Sequence, residues 1–175
     1  MIRVVLGTLA SQTAEALLRP VRTDMAPVSA ASRDIAIAAG EQLEERLSRL
    51  GTLPLGGAVL TPAGNLDAAY LIHAVVMSEE EQQTSLIVQR ALRNGLRRAT
   101  DWGLASLALP PLGLGVGTAD PEGAARTLVE ILFNHVDEGF DPLDLTIVAG
   151  SKYEAELLEG LVDELSRARS SLGDG

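Results

Sequence analysis

The sequence predicts an α/β fold, a three-layer α/β/α sandwich around a mixed, largely parallel central sheet. Three observations predict it. Short apolar runs without polar alternation, such as Leu104 to Leu109, read as strands covered on both faces. Between them lie stretches with apolar residues at helical spacing, as in Leu86, Ala91, Leu92, Leu96 and Ala99. The 175 residues suit one core, and neither repeat nor linker divides them. Residues 1–170 therefore read as one domain, and the Ser/Gly/Asp-rich residues 171–175 as a flexible tail.

In chain order, Ile2 to Leu6 is a buried strand stopped by Gly7, and Ala16 to Val21 a second strand interrupted by Pro20. Small residues over 23–31 make a loop. A helix follows from about Ser32, its expected N-cap, to Leu50, with Gly51 as the stop. Gly57 to Thr61 is the next strand, 62–65 a turn, and Tyr70 to Val76 another strand. Glu79-Glu80-Glu81 is expected to open the following helix, where its charge suits the positive end of the dipole. That helix ends near Trp102-Gly103. After the Leu104–Leu109 strand, Asp120-Pro121-Glu122 is a helix start: a capping carboxylate, proline at the first helical position and an acid in the first turn. This helix runs to about Val136. Gly139 and Pro142 mark a loop, Leu143 to Ala149 is the last strand, and Glu154 to Arg169 a final amphipathic helix.

Composition narrows the function. The formal net charge is −10, so phosphodiester backbones are repelled and a general DNA or RNA binder is disfavoured. Aromatics are 3% of the chain, too few for a base-stacking platform. There is no cysteine, and the two histidines, His73 in a strand and His135 near a helix end, make no metal site. No metal or cofactor is expected. The first residues read as a strand rather than a signal peptide, and no apolar run approaches a membrane span, so the expected setting is cytoplasmic.

The feature that points to chemistry is Gly113-Leu114-Gly115-Val116-Gly117, after the strand that Pro110 and Pro111 end. Glycines let backbone come close to a ligand, and successive N–H groups can form one concavity for an anion. A helix N-terminus follows near Asp120. The turn is neither a Walker A loop nor a full G-x-G-x-x-G, and on spacing alone a tight strand-to-helix connection fits as well as a phosphate cradle. Tyr153, after the last strand, is a candidate for stacking on a base or for ordinary helix packing. Asp67, the arginines of the 84–102 helix, and Glu41, Glu44 and Glu45 read as solvated residues.

The segment Ala108 to Gly117 resembles the second binding loop of macro domains. The resemblance extends in order from residue 2 to about 150. It includes Ile2 to Gly7, Ala39-Gly40-Glu41-Gln42-Leu43, Gly57 to Leu66, and Tyr70 to Val75. It implies a site for ADP-ribose, and in some members its removal from proteins or other acceptors. Leu112, Gly113, Leu114, Gly115, Val116 and Gly117 would hold phosphate and distal ribose, and Thr8 and Leu9 would lie at the adenine end. The family's Gly-Asp-Ile-Thr becomes Gly7-Thr8-Leu9-Ala10 here, which removes a charged acceptor for the adenine amino group. Its Val-Asn-Ala-Ala-Asn becomes Leu18-Arg19-Pro20-Val21-Arg22, so Arg22 stands where the last Asn would support hydrolysis. Arg22 would contact a phosphate or fill the ribose pocket. Its glycine-rich first loop becomes Pro27-Val28-Ser29-Ala30-Ala31, with side chains where backbone would approach pyrophosphate.

Three readings follow from these residues. The favoured one is a divergent module that binds ADP-ribose or a related nucleotide diphosphate, with weak or no hydrolase activity and ADP-ribosylated protein as a candidate partner. The others are an ADP-ribosyl hydrolase using non-standard residues, and a degenerate scaffold for protein interaction.

Overall fold

The computed structural model describes residues 1–115, 118–142 and 144–173. The strands are β1 (Ile2–Leu6), β2 (Ala16–Arg22), β3 (Ala58–Pro62), β4 (Tyr70–Met77), β5 (Ser106–Leu109) and β6 (Asp144–Ala149). They form one six-stranded sheet in the order β1-β6-β5-β2-β4-β3, parallel except for the antiparallel edge strand β3. The helices are α1 (Ala30–Ala39), α2 (Glu41–Arg49), α3 (Ser85–Asp101), α4 (Pro121–Asp137) and α5 (Lys152–Gly173). Among the described residues no helix is long and apolar enough to cross a membrane.

The sheet divides two cores. Ala16 and Leu18 of β2 and Ile72, Ala74 and Val76 of β4 pack with α3, α4 and α5. Leu17, Val21, Leu71 and Val75 pack on the other face with Ile35 and Ala39 of α1 and Leu43 and Leu47 of α2. This period of two, apolar on both faces, is why the strands read as uninterrupted hydrophobic runs.

Several local expectations are corrected. Pro20 does not interrupt β2, because β5 pairs only with Ala16 and Leu17 and leaves that edge of β2 free farther along, where a missing N–H can be spared. The helix expected over 32–50 is two, broken at Gly40, whose φ is +92°. Its N-cap is Ser29, whose hydroxyl accepts from Ser32 N–H at 3.1 Å; Ser32 itself is buried. Glu79-Glu80-Glu81 lies before α3, which is capped instead by Thr84. Ser78 Oγ accepts the N–H groups of Glu80 and Glu81, which turns the acidic run back on itself. Helix α5 reaches Gly173, beyond the Arg169 expected. Asp120 caps α4 as expected, accepting from Gly123 N–H at 3.0 Å, and Pro121 opens that helix. Leu143, expected to begin the last strand, lies outside the described residues.

A buried polar chain ties the sheet to α1. Arg19 of β2 donates Nε–H to His73 Nδ1 of β4 at 2.9 Å and Nη1–H to the Ser32 carbonyl at 3.2 Å. His73 Nε2 lies 2.8 Å from Thr61 Oγ1 of β3, and that hydroxyl donates to the Pro62 carbonyl at 3.0 Å. With Nδ1 accepting from Arg19, the neutral ring carries its proton on Nε2 and donates it to Thr61. Ser32 Oγ donates to the Pro20 carbonyl at 2.7 Å. Burial, and then the Arg19 charge, hold the His73 imidazole well below its usual value of 6.5.

Two predictions follow from this architecture. Gly64 has a φ of +60°, and a side chain there would overlap the Ala39 carbonyl oxygen at the end of α1. Gly64→Ala should lower unfolding free energy by about 2–4 kcal/mol, from overpacking plus backbone strain. Chemical denaturation measures this, and a loss below about 0.5 kcal/mol, the range of ordinary surface substitutions, would contradict it. His73 is neutral in the folded chain, whereas the unfolded chain takes up a proton near pH 6.5, so its contribution to stability is present above that pH and lost as pH falls. Wild type should therefore lose more stability than His73→Gln between about pH 7.5 and 5.5. His135 is shifted in the same direction and is present in both proteins, so it cancels in the comparison.

Candidate functional site

Because β1, β2, β5 and β6 run parallel, their carboxyl ends share one edge of the sheet, and a cleft of about 1330 Å³ opens beyond it. Gly7 to Ala10 close one end, together with Gly150 and Glu154 from the start of α5. Val28 to Ala31 and Asp34 form one wall, and Pro110 to Gly115 with Thr118 to Asp120 form the facing wall. Gln82 to Ser85, leading into α3, reach the cleft from a third side.

The first wall is set by a tight reversal at the end of β2. Arg22 N–H donates to the Ala26 carbonyl at 2.9 Å, and Met25 N–H to the Arg22 carbonyl at 2.8 Å. Met25, not Val28, takes the positive φ, at 70°. Asp24 accepts the Arg22 fork at 3.1 and 2.6 Å and the Ala26 N–H at 3.1 Å. Those bonds hold the Asp24 carboxyl below its usual range and raise the Arg22 guanidinium above its own. The chain then enters α1, whose N-terminal residues Ala30 and Ala31 line the cleft. Ser29 takes up the Ser32 N–H, but the first two N–H groups of a helix have no partner within it. They carry the positive end of the dipole into the cleft.

The second wall is braced from inside. Leu112 N–H donates to the Pro110 carbonyl at 2.8 Å, and Leu114 N–H to the Pro111 carbonyl at 3.1 Å. Gly113, with φ +88°, supplies the left-handed position this turn needs. Thr118 Oγ1 donates to the Gly113 carbonyl at 3.0 Å and accepts Gly115 N–H at 3.1 Å. The N–H groups of Leu112, Leu114 and Gly115 are thus engaged within the loop, unlike the open row of donors the sequence suggested. A Cβ added at Gly115 would meet, among the described residues and beyond its chain neighbours, no atom within 4 Å.

Of the residues singled out in the sequence, Thr8, Leu9, Val28, Ser29, Ala30, Leu112, Gly113, Leu114 and Gly115 come together around the cleft. Thr8 Oγ1 donates to Ser11 Oγ at 2.8 Å, so its hydroxyl proton is already engaged. Arg22 is not among the lining residues; it is paired with Asp24, and Glu79 lies 3.6 Å from it. Tyr153 is 58% exposed and also stands outside the lining. Val116 and Gly117 lie outside the described residues. The sequence reading missed Thr118, Asp34 and the Gln82–Ser85 approach, which carry no motif of their own. It also missed the Arg19–His73 chain, although a charged residue inside a wholly apolar strand was a visible signal.

No lysine, arginine or histidine lines the cleft among the described residues, whereas Asp34, Asp120 and Glu154 do. Asp120 is committed as the cap of α4, and Glu154 Oε1 accepts from Ser151 Oγ at 3.3 Å. An anion here would meet backbone donors and helix N-termini rather than cationic side chains. No three acids or histidines among the described residues cluster as metal ligands would.

Comparison with known proteins agrees with this architecture. The macro domain family model matches residues 22–128, more than half of the chain. An uncharacterized protein of Aeropyrum pernix is 33% identical over 127 residues, covering 72% of this chain and 67% of that one. A macro domain-containing protein of Caldanaerobacter subterraneus is 24% identical over 172 residues, covering 95% and 98%. Among solved structures, the Oceanobacillus iheyensis macrodomain with ADP superposes with a TM-score of 0.82 at 18% identity, covering 94% of this chain and 91% of that one. The Trypanosoma brucei macrodomain in complex with ADP gives 0.78 at 20% identity, covering 91% and 67%. With the family model matching more than half of the chain and the Aeropyrum relative 33% identical over 72% of it, the chain belongs to the macro domain family.

Proposed function

We propose that this chain binds ADP-ribose, or a closely related nucleoside diphosphate, in the cleft at the carboxyl ends of the strands, with weak or no hydrolysis. The observation that carries the reading is the convergence of the α1 N-terminus with Pro110 to Gly115 and Thr118 to Asp120 on one cleft. Two macrodomains of the same fold hold ADP, and a mutant of the Oceanobacillus macrodomain is described with ADPR. Thr8, Leu9 and Ala10 would flank the adenine end. Val28 to Ala31 and Leu112 to Gly115 would flank the diphosphate and the distal ribose. Tyr153 contributes little to this site in its observed position.

Weak hydrolysis follows from chemistry absent at the ribose end. The resemblance places an Asn at position 22, a short amide beside the distal ribose. Arg22 is instead committed to a two-point pair with Asp24 outside the cleft lining. Among the described residues no histidine lines the cleft to act as a general base near neutral pH. An ADP-ribosylated protein is the natural larger partner, since the distal ribose of a bound ligand would carry the attachment.

Calorimetric titration with ADP-ribose tests the reading, with AMP and ADP as controls. Saturable binding is expected, together with stabilisation that grows with ligand concentration. No heat and no stabilisation at millimolar ligand would overturn the assignment. Gly115→Val should keep the fold, since among the described residues no atom beyond its chain neighbours stands within 4 Å of the new Cβ, and should weaken ADP-ribose at least about tenfold by intruding on the cleft. Arg22→Ala should leave the affinity within about twofold of wild type, because the guanidinium is already paired outside the lining. Equal affinity in wild type and the Gly115 variant would remove the second loop from the site.

A further inference from the structure

Arg19 is the least expected residue of the molecule. It sits inside β2, 1% exposed, between the sheet and α1. Both of its hydrogen-bond acceptors, His73 Nδ1 and the Ser32 carbonyl, are uncharged. Among the described residues it makes no ion pair, and Glu44 of α2 acts on it only from beyond contact. Burial lowers its pKa to about 10, so it remains a cation at neutral pH. A buried charge without a contacting counter-charge is costly, and well-packed apolar residues would be the more stable choice.

The surroundings sharpen the anomaly. Arg19 bonds the carbonyl of Ser32, in the first turn of α1, whose N-terminus is itself a centre of positive potential. Two positive features are thus packed together with no carboxylate in contact with Arg19. On the other side of that first turn, Ser29, Ala30 and Ala31 line a cleft that has no cationic side chain and contains three carboxylates. An anion seated at the α1 N-terminus would relieve the repulsion between helix end and guanidinium. Through poorly polarisable protein it would also feel the Arg19 charge with little screening.

We propose that Arg19 is the positioning residue and buried counter-charge of the cleft, holding the first turn of α1 in place and selecting ligands that carry a diphosphate. It touches no ligand. It acts through Ser32 and through its field, supplying from beneath the wall the positive potential that the lining lacks. The inference deepens the nucleotide-diphosphate reading and rests on it for the identity of the ligand, but not for the preference for an anion.

The test compares wild type, Arg19→Met and Arg19→Lys against ADP-ribose, adenosine and inorganic pyrophosphate, using calorimetry and thermal shift. Arg19→Met should weaken ADP-ribose and pyrophosphate by about tenfold or more while changing adenosine by less than about twofold. A purely structural role would weaken adenosine by the same factor and would overturn the proposal, as would unchanged binding of both anions. Should the Met variant not fold, Arg19→Lys decides through its pH profile. A buried lysine has a depressed pKa, so that variant should bind ADP-ribose near wild-type strength at about pH 6 and lose about tenfold by pH 9. Wild type, which shares His73, Glu44, Asp34, Asp120 and Glu154, should vary far less over that window. A Lys profile parallel to wild type would overturn the proposal. Stabilisation of wild type by pyrophosphate without ADP-ribose binding would sink the nucleotide reading and leave the role of Arg19 supported. Absence of both would remove the two together.

Discussion

Helices and loops alike are arranged around β2, which has to be covered on both faces while carrying a charge through the middle. Ala16 to Val21 are entirely buried, with α3, α4 and α5 on one side and α1 and α2 on the other. Leucine and alanine satisfy that constraint on their own, but Arg19 does not. Its guanidinium needs acceptors: the sheet supplies His73 of β4, itself bonded to Thr61 of β3, and α1 supplies the Ser32 carbonyl. Ser32 in turn donates to Pro20, so the first turn of α1 is bonded to β2 at two points. One wall of the cleft is therefore seated on the polar centre of the sheet, and its position depends on a buried network that is satisfied only as a unit.

The electrostatics of the cleft follow from that seating. The protein has a formal net charge of −10, and the cleft lining adds carboxylates rather than cations. Long-range attraction cannot bring a diphosphate here. For the diphosphate proposed to bind here, local potential would have to act instead, from the N-terminus of α1 and from the charge beneath it. Such an arrangement discriminates by geometry: helix-end donors and a fixed buried charge act on an anion at one place and give little to anions elsewhere on the surface. Arg22 contributes nothing comparable, since Asp24 neutralises it within its own turn. On the facing wall, Thr118 ties Gly113 to Gly115 through two hydrogen bonds.

Much of this was legible from residue patterns. Uninterrupted apolar runs identified the doubly covered strands, and Asp120-Pro121-Glu122 located the start of α4, because both signals are local and cheap to satisfy. Gly113, Leu114 and Gly115 of the glycine turn line the cleft. Errors fell where a local preference met a tertiary demand. Ser32 looked like a cap because a hydroxyl preceded an apolar stretch, but Pro20 and Arg19 claim it, and Ser29 caps instead. The Glu79–Glu81 run suited a helix N-terminus, yet Ser78 folds it back and Thr84 performs the capping. Arg22 looked like a ribose-site residue by register, and its position along β2 was right. Nothing in the register shows that Asp24, two residues on, would hold it away.

The sequence by itself determined the layer architecture, the succession of strands and helices, and the place of the glycine turn, because hydrophobic periodicity and capping chemistry act over a few residues. Tertiary structure alone decided what the cleft is made of. The union of Val28–Ala31 with Pro110–Asp120, and of Arg19 with His73, Thr61 and Ser32, joins residues far apart in the chain. Those contacts arise only when parallel strands bring their carboxyl ends to one edge, and no local pattern encodes which distant acceptor a buried donor will find.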